Sequence, residues 1–145
     1  MVRKVTSDDL PALSELFDDY RVFYEKEADV TAAASFLNER INKGDSVIFV
    51  FEENGELTGF TQLYPLFSST RMKPLWLLND LYVNPKHRGK GHSIALIDAA
   101  KKLAIDTGAA GLMLETAKSN DVGNQLYPKT GFVCDHDHNY YSWDV

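Results

Sequence analysis

Apolar residues recur at helical spacing in three stretches of the chain and alternate or run together elsewhere. Leu10, Leu13, Leu16, Phe17, Tyr20 and Phe23 share one helix face. Thr6 or Ser7 precedes them as a cap, with Asp8 and Asp9 in the first turn, where negative charge is favoured. The pattern fades near Tyr24, and Glu25 to Val30 reads as a polar link. Thr31 is placed to cap a second helix with Phe36, Leu37, Arg40 and Ile41 on one side, ended by Gly44. Ile94, Leu96, Ile97, Ala100, Leu103 and Ala104 face inward on a third helix, from about Gly91 to Thr107, which Gly108 ends.

The remaining runs predict strands. Val2 to Thr6 is a short first strand. Ser46 to Glu52 is β-branched and aromatic, and Asn54-Gly55 is a strong hairpin signal. Glu56 to Leu66 returns as its partner, with Gly59 at a bulge. Phe67 to Pro74 reads as a loop. Leu75 to Val83 is nearly continuous apolar sequence, as in a central strand covered on both faces. Leu112 to Thr116 predicts a further strand, and Asp121 caps a short helix through Tyr127. Phe132 to Asp135 and Tyr140 to Val145 read as two last strands around a polar turn. The order β-α-α-β-β-β-α-β-α-β-β is mixed α/β, in a single domain spanning residues 1–145.

Composition changes this picture little. The 145 residues are enough for one domain with a proper core; 44% are apolar and 25% charged. A net charge of −6 argues against nucleic acid as a main partner. Met1 to Val5 lacks the apolar core of a signal peptide, no apolar run is long enough to span a bilayer, and Cys134 stands alone, which together read as cytoplasmic. His87, His92, His136 and His138 with Asp135 and Asp137 offer no convincing zinc spacing; a polar turn with His136 and His138 on one side is the better reading, and Cys134 is expected to be packed in a strand.

The chemistry concentrates at Asn84-Pro85-Lys86-His87-Arg88-Gly89-Lys90-Gly91-His92-Ser93, between the apolar strand and the third helix. A helix N-terminus presents free N–H groups and the positive end of its dipole, and glycines allow a ligand to approach the backbone. The loop alone fits two readings: a phosphate cradle, or a glycine-containing helix entry on a charged surface. It lacks the third glycine of a dinucleotide fingerprint and the Gly-Lys-Ser/Thr of a Walker loop.

Arg88-Gly89-Lys90-Gly91-His92-Ser93 resembles the acetyl-coenzyme A signature of the GCN5-related N-acetyltransferase (GNAT) superfamily, with Ser93 in place of glycine or alanine and His92 where an apolar residue is usual. Asn120 to Phe132 resembles the family's Asn-x-x-Ala-x-x-Leu-Tyr-x-Lys-x-Gly-Phe segment, with Gly123 and Pro128 as departures. The Leu-Asn-Asp-Leu-Tyr-Val strand is similar to the branch that holds the Hpa-type and diamine acetyltransferases.

The resemblance implies a GNAT fold whose sheet splays after the fourth strand, and transfer of an acetyl group from acetyl-CoA to a primary amine by direct attack in a ternary complex. No metal is implied. Pantetheine would pair with the strand at Leu81, Tyr82 and Val83. The pyrophosphate would take the amides of Arg88, Gly89, Lys90, Gly91, His92 and Ser93, with charge from Arg88 and Lys90. Asn120 would contact the pantetheine arm and Lys129 the 3′-phosphate. Tyr127 matches the family's general acid to the thiolate, and the Val83 or Leu81 amide is the natural oxyanion donor. Some relatives carry glutamate where Asn79 stands. The base is left open among Asp80 acting through water, Glu25, Glu27, Glu115 and bulk solvent. Tyr24, Glu25 and Asn79 fall on the acceptor side. The first two helices and Phe67 to Pro74 would wall that side, acidic through Asp18, Asp19, Glu25 and Glu27 and aromatic through Tyr20, Phe23 and Tyr24, which suits a cationic amine. The Tyr140 to Val145 strand suggests a homodimer. The other readings are a GNAT-fold acyl-CoA sensor without turnover, and a nucleotide-phosphate enzyme on another fold.

Overall fold

A computed structural model describes all 145 residues. They form two compact units, Met1–Leu114 and Glu115–Val145. The first holds a five-stranded sheet in the order β1-β2-β3-β4-β5: β1 (Val2–Lys4), β2 (Val47–Glu53), β3 (Glu56–Ser68), β4 (Lys73–Val83) and β5 (Leu112–Met113). The first four strands are antiparallel neighbours, and β5 joins β4 in parallel. Helices α1 (Leu10–Phe23) and α2 (Val30–Lys43) follow β1, and α3 (His92–Asp106) follows β4.

Residue parity decides which side of the sheet each helix covers. Ile48, Val50, Phe60 and Tyr82 form one cluster with Leu13, Leu16 and Phe17 of α1 and Ala33 and Leu37 of α2. α3 buries Leu96, Ile97, Ala100 and Ala104 on the opposite face. Phe60 is fully buried and contributes on the order of 2–3 kcal/mol by leaving water. The sheet is therefore covered on both faces, as the apolar run in β4 predicts.

The local turn chemistry follows the sequence in most places. Asn54 and Gly55 both have positive φ, the geometry of a type I′ hairpin turn. Gly44 caps α2 in the left-handed region. Two caps differ from expectation. Asp29, not Thr31, caps α2 by accepting the Ala32 N–H at 3.0 Å. Asn120, not Asp121, caps α4 (Asp121–Lys129). Phe67 to Pro74 is not a loop: β3 and β4 extend through it and leave a short turn around Ser69 to Met72.

Two bulges bend the central strands. Phe51 faces Gly59 while Glu52 faces Leu57, so Thr58 is the extra residue. A side chain at Gly59 would lie 2.8 Å from the Tyr82 carbonyl, which is why the position takes glycine. Gln62 faces Asp80 while Leu63 faces Leu78, so Asn79 is the extra residue of β4. Bulges strengthen local twist and re-aim side chains.

Glu115–Val145 holds α4 and no strand. The two strands expected at Phe132 to Asp135 and Tyr140 to Val145 do not form. Alternating apolar and polar residues make a strand only where a ladder partner is present. Here the Asp135 carboxylate instead accepts the Asp137 and His138 N–H groups at 2.8 and 3.1 Å, and the His138 Nδ1 lies 2.7 Å away, which closes a turn. Cys134 is exposed, not packed.

The start of α1 is fixed by one ionic knot. Arg3 donates to both oxygens of Asp9 at 2.7 and 2.8 Å, and Asp9 also accepts the Thr6 N–H and hydroxyl. The Arg3 guanidinium holds the Asp9 carboxyl down from 3.8 to about 2. Replacing Asp9 by Asn is expected to cost about 2 kcal/mol near neutral pH, measured by urea denaturation. Because the folded value is the depressed one, that stability is present above 3.8 and is lost as pH falls through about 2. The gap between Asp9→Asn and the wild type should therefore close over that acidic window.

Candidate functional site

The outer edge of β4 is occupied only in its first half. Ala110 N–H donates to the Pro74 carbonyl at 2.7 Å, Trp76 N–H to Gly111 at 3.2 Å, and the β5 ladder covers Trp76 and Leu77. From Leu78 to Val83 that edge has no strand partner. Asn84 N–H donates inward to the Thr58 carbonyl at 2.9 Å. Backbone alternation then aims the N–H groups of Leu81 and Val83 away from β3, into the open edge. The Val83 carbonyl is already taken: Arg88 Nε donates to it at 2.9 Å.

The loop continues directly from this edge. Asn84 accepts the Lys86 N–H at 3.0 Å and starts a short 3-10 turn over Pro85–His87. Arg88 is extended, and Gly89 and Gly91 have φ of 77° and 83°, a region that L side chains avoid. Nothing lies within 4 Å of a Cβ added at either glycine, so conformation and not packing selects them. Gly91 caps α3, whose first-turn N–H groups have no carbonyl ahead of them in the helix. Unpaired amides at the positive end of a 15-residue helix thus follow the open edge of β4 after one short loop.

The side chains of the loop do not all serve that cradle. The Arg88 guanidinium lies over Phe23 and Tyr82, 5.9 and 5.7 Å from the ring centroids. Lys90 Nζ sits 3.2 Å from the Glu53 carboxylate, and His87 Nδ1 lies at the same distance. His92, expected among the cofactor contacts, turns its ring into the protein: it is 4% exposed, stacked on Phe51 at 3.8 Å, with Nδ1 3.0 Å from the Thr58 hydroxyl. Lys90 and then His87 hold the Glu53 carboxyl below the ordinary carboxylate range.

Asp80 occupies the other face of β4, with Gln62 and Tyr82 and away from Leu81 and Val83. Its carboxylate accepts Gln62 Nε2 at 2.8 Å and Asn79 Nδ2 at 3.0 Å, and the Tyr20 hydroxyl adjoins it. Burial nevertheless raises the Asp80 carboxyl above its usual range. Tyr20 stands in an aromatic cluster, 5.0 Å from Tyr24 and 6.3 Å from Tyr82, and Tyr24 is 5.2 Å from Phe23. Asp18 is not part of an acidic wall. It is buried, paired with Arg21 at 2.8 Å, and accepts the Asp29 N–H on both oxygens, which ties α1 to the start of α2. A cavity of about 480 Å³ between these helices is lined by aromatic rings together with Arg21 and Lys26. Glu25 follows α1 with φ 62°, exposed.

Within Glu115–Val145, Asn120 uses Oδ1 to accept the Gly123 N–H at 3.2 Å and Nδ2 to reach the Thr116 hydroxyl at 2.9 Å. Gly123 packs tightly against these side chains, so a larger residue there would displace Asn120. A Cβ there would meet Asn120 Nδ2 at 2.6 Å and the Tyr127 ring at 3.2 Å. Tyr127 packs edge-on against Phe132 at 5.8 Å, and Lys129 is exposed.

An open strand edge feeds a glycine-bent helix entry, as the resemblance to the acetyltransferases implies. Residues 10–132 match the Acetyltransferase (GNAT) family. The chain is 44% identical over 131 residues to an uncharacterized N-acetyltransferase, YhfO, of Bacillus subtilis, covering 90% of this chain and 88% of that protein. It is 24% identical over 139 residues to the D-amino-acid N-acetyltransferase HPA3 of Saccharomyces cerevisiae, covering 93% and 86%. A crystal structure described as a probable acetyltransferase superposes with a TM-score of 0.94 at 33% identity, covering 100% of this chain and 97% of that one. The chain belongs to the GNAT family of acetyltransferases, enzymes that draw the acetyl group from acetyl-CoA. No helix is long and apolar enough to cross a membrane.

Proposed function

We propose that this chain, as a single GNAT domain spanning residues 1–145 in the cytoplasm, transfers an acetyl group from acetyl-CoA to a primary amine by direct attack within a ternary complex. The observation that carries the reading is the unpaired edge of β4 running into the amide cradle at Gly89 to Ser93. The N–H groups of Leu81 and Val83 suit a pantetheine arm, beside Tyr82, and the amides from Gly89 to Ser93 suit a pyrophosphate, whereas the Arg88 N–H, expected among them, is spent on the Pro85 carbonyl at 3.4 Å. Asn120 and Lys129 are assigned to the pantetheine arm and the 3′-phosphate by the likeness of their segment to the family's.

The attacking amine must be neutral, the tetrahedral oxyanion needs a donor, and the leaving thiolate needs a proton. The Val83 or Leu81 amide is the donor in this scheme, and Tyr127 delivers the proton. Asp80 is the base we assign, through water: its carboxyl stands above the usual range, which strengthens it as a base, but its oxygens are already bonded within the protein. Tyr24, Glu25 and Asn79 are assigned to the acceptor, which is a small cationic amine or a protein lysine or N-terminus. Arg21 and Lys26 at the aromatic cavity favour a second acceptor class, amines that also carry a carboxylate.

A screen for thiol release from acetyl-CoA over polyamines, aminoglycosides, lysine peptides and amino acids tests this directly. Release on at least one amine is expected; tight acetyl-CoA binding with no release on any would make the chain an acyl-CoA sensor. With an active amine in hand, Tyr127→Phe should lower kcat about 10–100-fold and leave acetyl-CoA affinity within about twofold. Unchanged kcat would remove Tyr127 as the acid.

We further propose a homodimer joined through the C-terminal segment. Tyr140, Tyr141 and Trp143 are 70, 91 and 84% exposed, more aromatic surface than a lone chain ordinarily leaves in water. Light scattering at micromolar concentration should give twice the 16.3 kDa chain mass; a monomeric mass would overturn it.

A further inference from the structure

We infer that Glu53, at the end of β2, is a positioning residue for coenzyme A: one carboxylate fastens the pyrophosphate loop before, between and after its two flexible glycines. The inference rests on the cofactor site proposed above.

The geometry is specific. His87 precedes Gly89, Lys90 separates Gly89 from Gly91, and His92 follows Gly91. All three reach the same carboxylate: His87 Nδ1 and Lys90 Nζ at 3.2 Å from Oε2, and His92 Nε2 at 3.6 Å from Oε1. Glu56, across the hairpin, adds a contact of 3.9 Å to His87 Nε2. His92 is anchored on its other side by the Thr58 hydroxyl, which the bulge in β3 directs at it, and by the Phe51 ring.

A loop with two positive-φ glycines loses much conformational freedom when it closes on a ligand. Amides grip a pyrophosphate only when they converge, so an unfastened loop bears that ordering cost at binding. Glu53 holds both glycine hinges against the rigid β2–β3 hairpin before any ligand arrives. It also gathers the Lys90 ammonium beneath the loop, so the grip of the cradle comes from backbone amides and from loop order.

Glu53 contacts side chains of the loop and none of its backbone amides, and its own side chain is one-third exposed, so Glu53→Gln keeps its shape and the fold. The test compares acetyl-CoA, which carries the pyrophosphate, with S-acetylpantetheine, which lacks it. Dissociation constants of both are measured by calorimetry on wild type and Glu53→Gln. The expected result is a Kd for acetyl-CoA raised about tenfold with that for S-acetylpantetheine within about twofold. Equal weakening of both donors would mean a general structural role and overturn the inference. An unchanged acetyl-CoA affinity would also overturn it, leaving the functional proposal intact. A wild-type protein with no affinity for acetyl-CoA would defeat the cofactor site itself, and this inference with it.

Discussion

The architecture depends on one unequal pairing. β4 is bonded to β3 along its whole length but to a neighbour on its outer side only as far as Leu77. Unpaired backbone groups at a sheet edge are costly to bury and prone to recruit other strands. Here they are kept open beside the entry to α3, whose own first amides are unpaired for the independent reason that no turn precedes them. Two sets of unsatisfied donors, one from a strand and one from a helix, are thus separated only by an eight-residue loop from Asn84 to Gly91. The helices on both faces hold this edge in place through cores that meet at β3 and β4.

Two insertions of a single residue refine that edge. The bulge at Asn79 lies where the pairing on the outer side has ended, and it resets the alternation so that Asp80 and Tyr82 face α1. The bulge at Thr58 aims a hydroxyl at His92 under the helix entry. Both are single-residue insertions, which strengthen local twist and re-aim side chains. The aromatic cluster of Tyr20, Tyr24 and Tyr82 and the guanidinium of Arg88 then form the border between the open edge and the cavity beneath α1 and α2.

Much of this was legible in the sequence because the signals are local. Asn54-Gly55, Gly44 and the Gly89–Gly91 pair each require a backbone geometry that few residues accept, so their roles follow from residue type. The apolar run of β4 announces a strand covered on both faces. What was hidden depends on distant partners. Glu53 lies 34 residues from His87 and 37 from Lys90, and nothing in the local pattern joins them. The inward turn of His92 needs Phe51 and Thr58 to explain it. Asp18 reads as a solvated helix-face charge until the Asp29 N–H is seen to need it. The last two strands were misread because Phe132 to Val145 has strand-like residues but no ladder to join, and Asp135 closes a turn instead.

The central claim is that a coenzyme A thioester lies along the outer edge of β4 and into the cradle. Residue-resolved amide hydrogen exchange, with and without acetyl-CoA, addresses it at the atoms concerned. The account predicts slowed exchange at Leu81 and Val83 and at the amides from Gly89 to Ser93, with the inward-bonded Asn84 amide little changed. Saturating acetyl-CoA that leaves the Leu81, Val83 and Gly89 to Ser93 amides exchanging as in the free protein would contradict it.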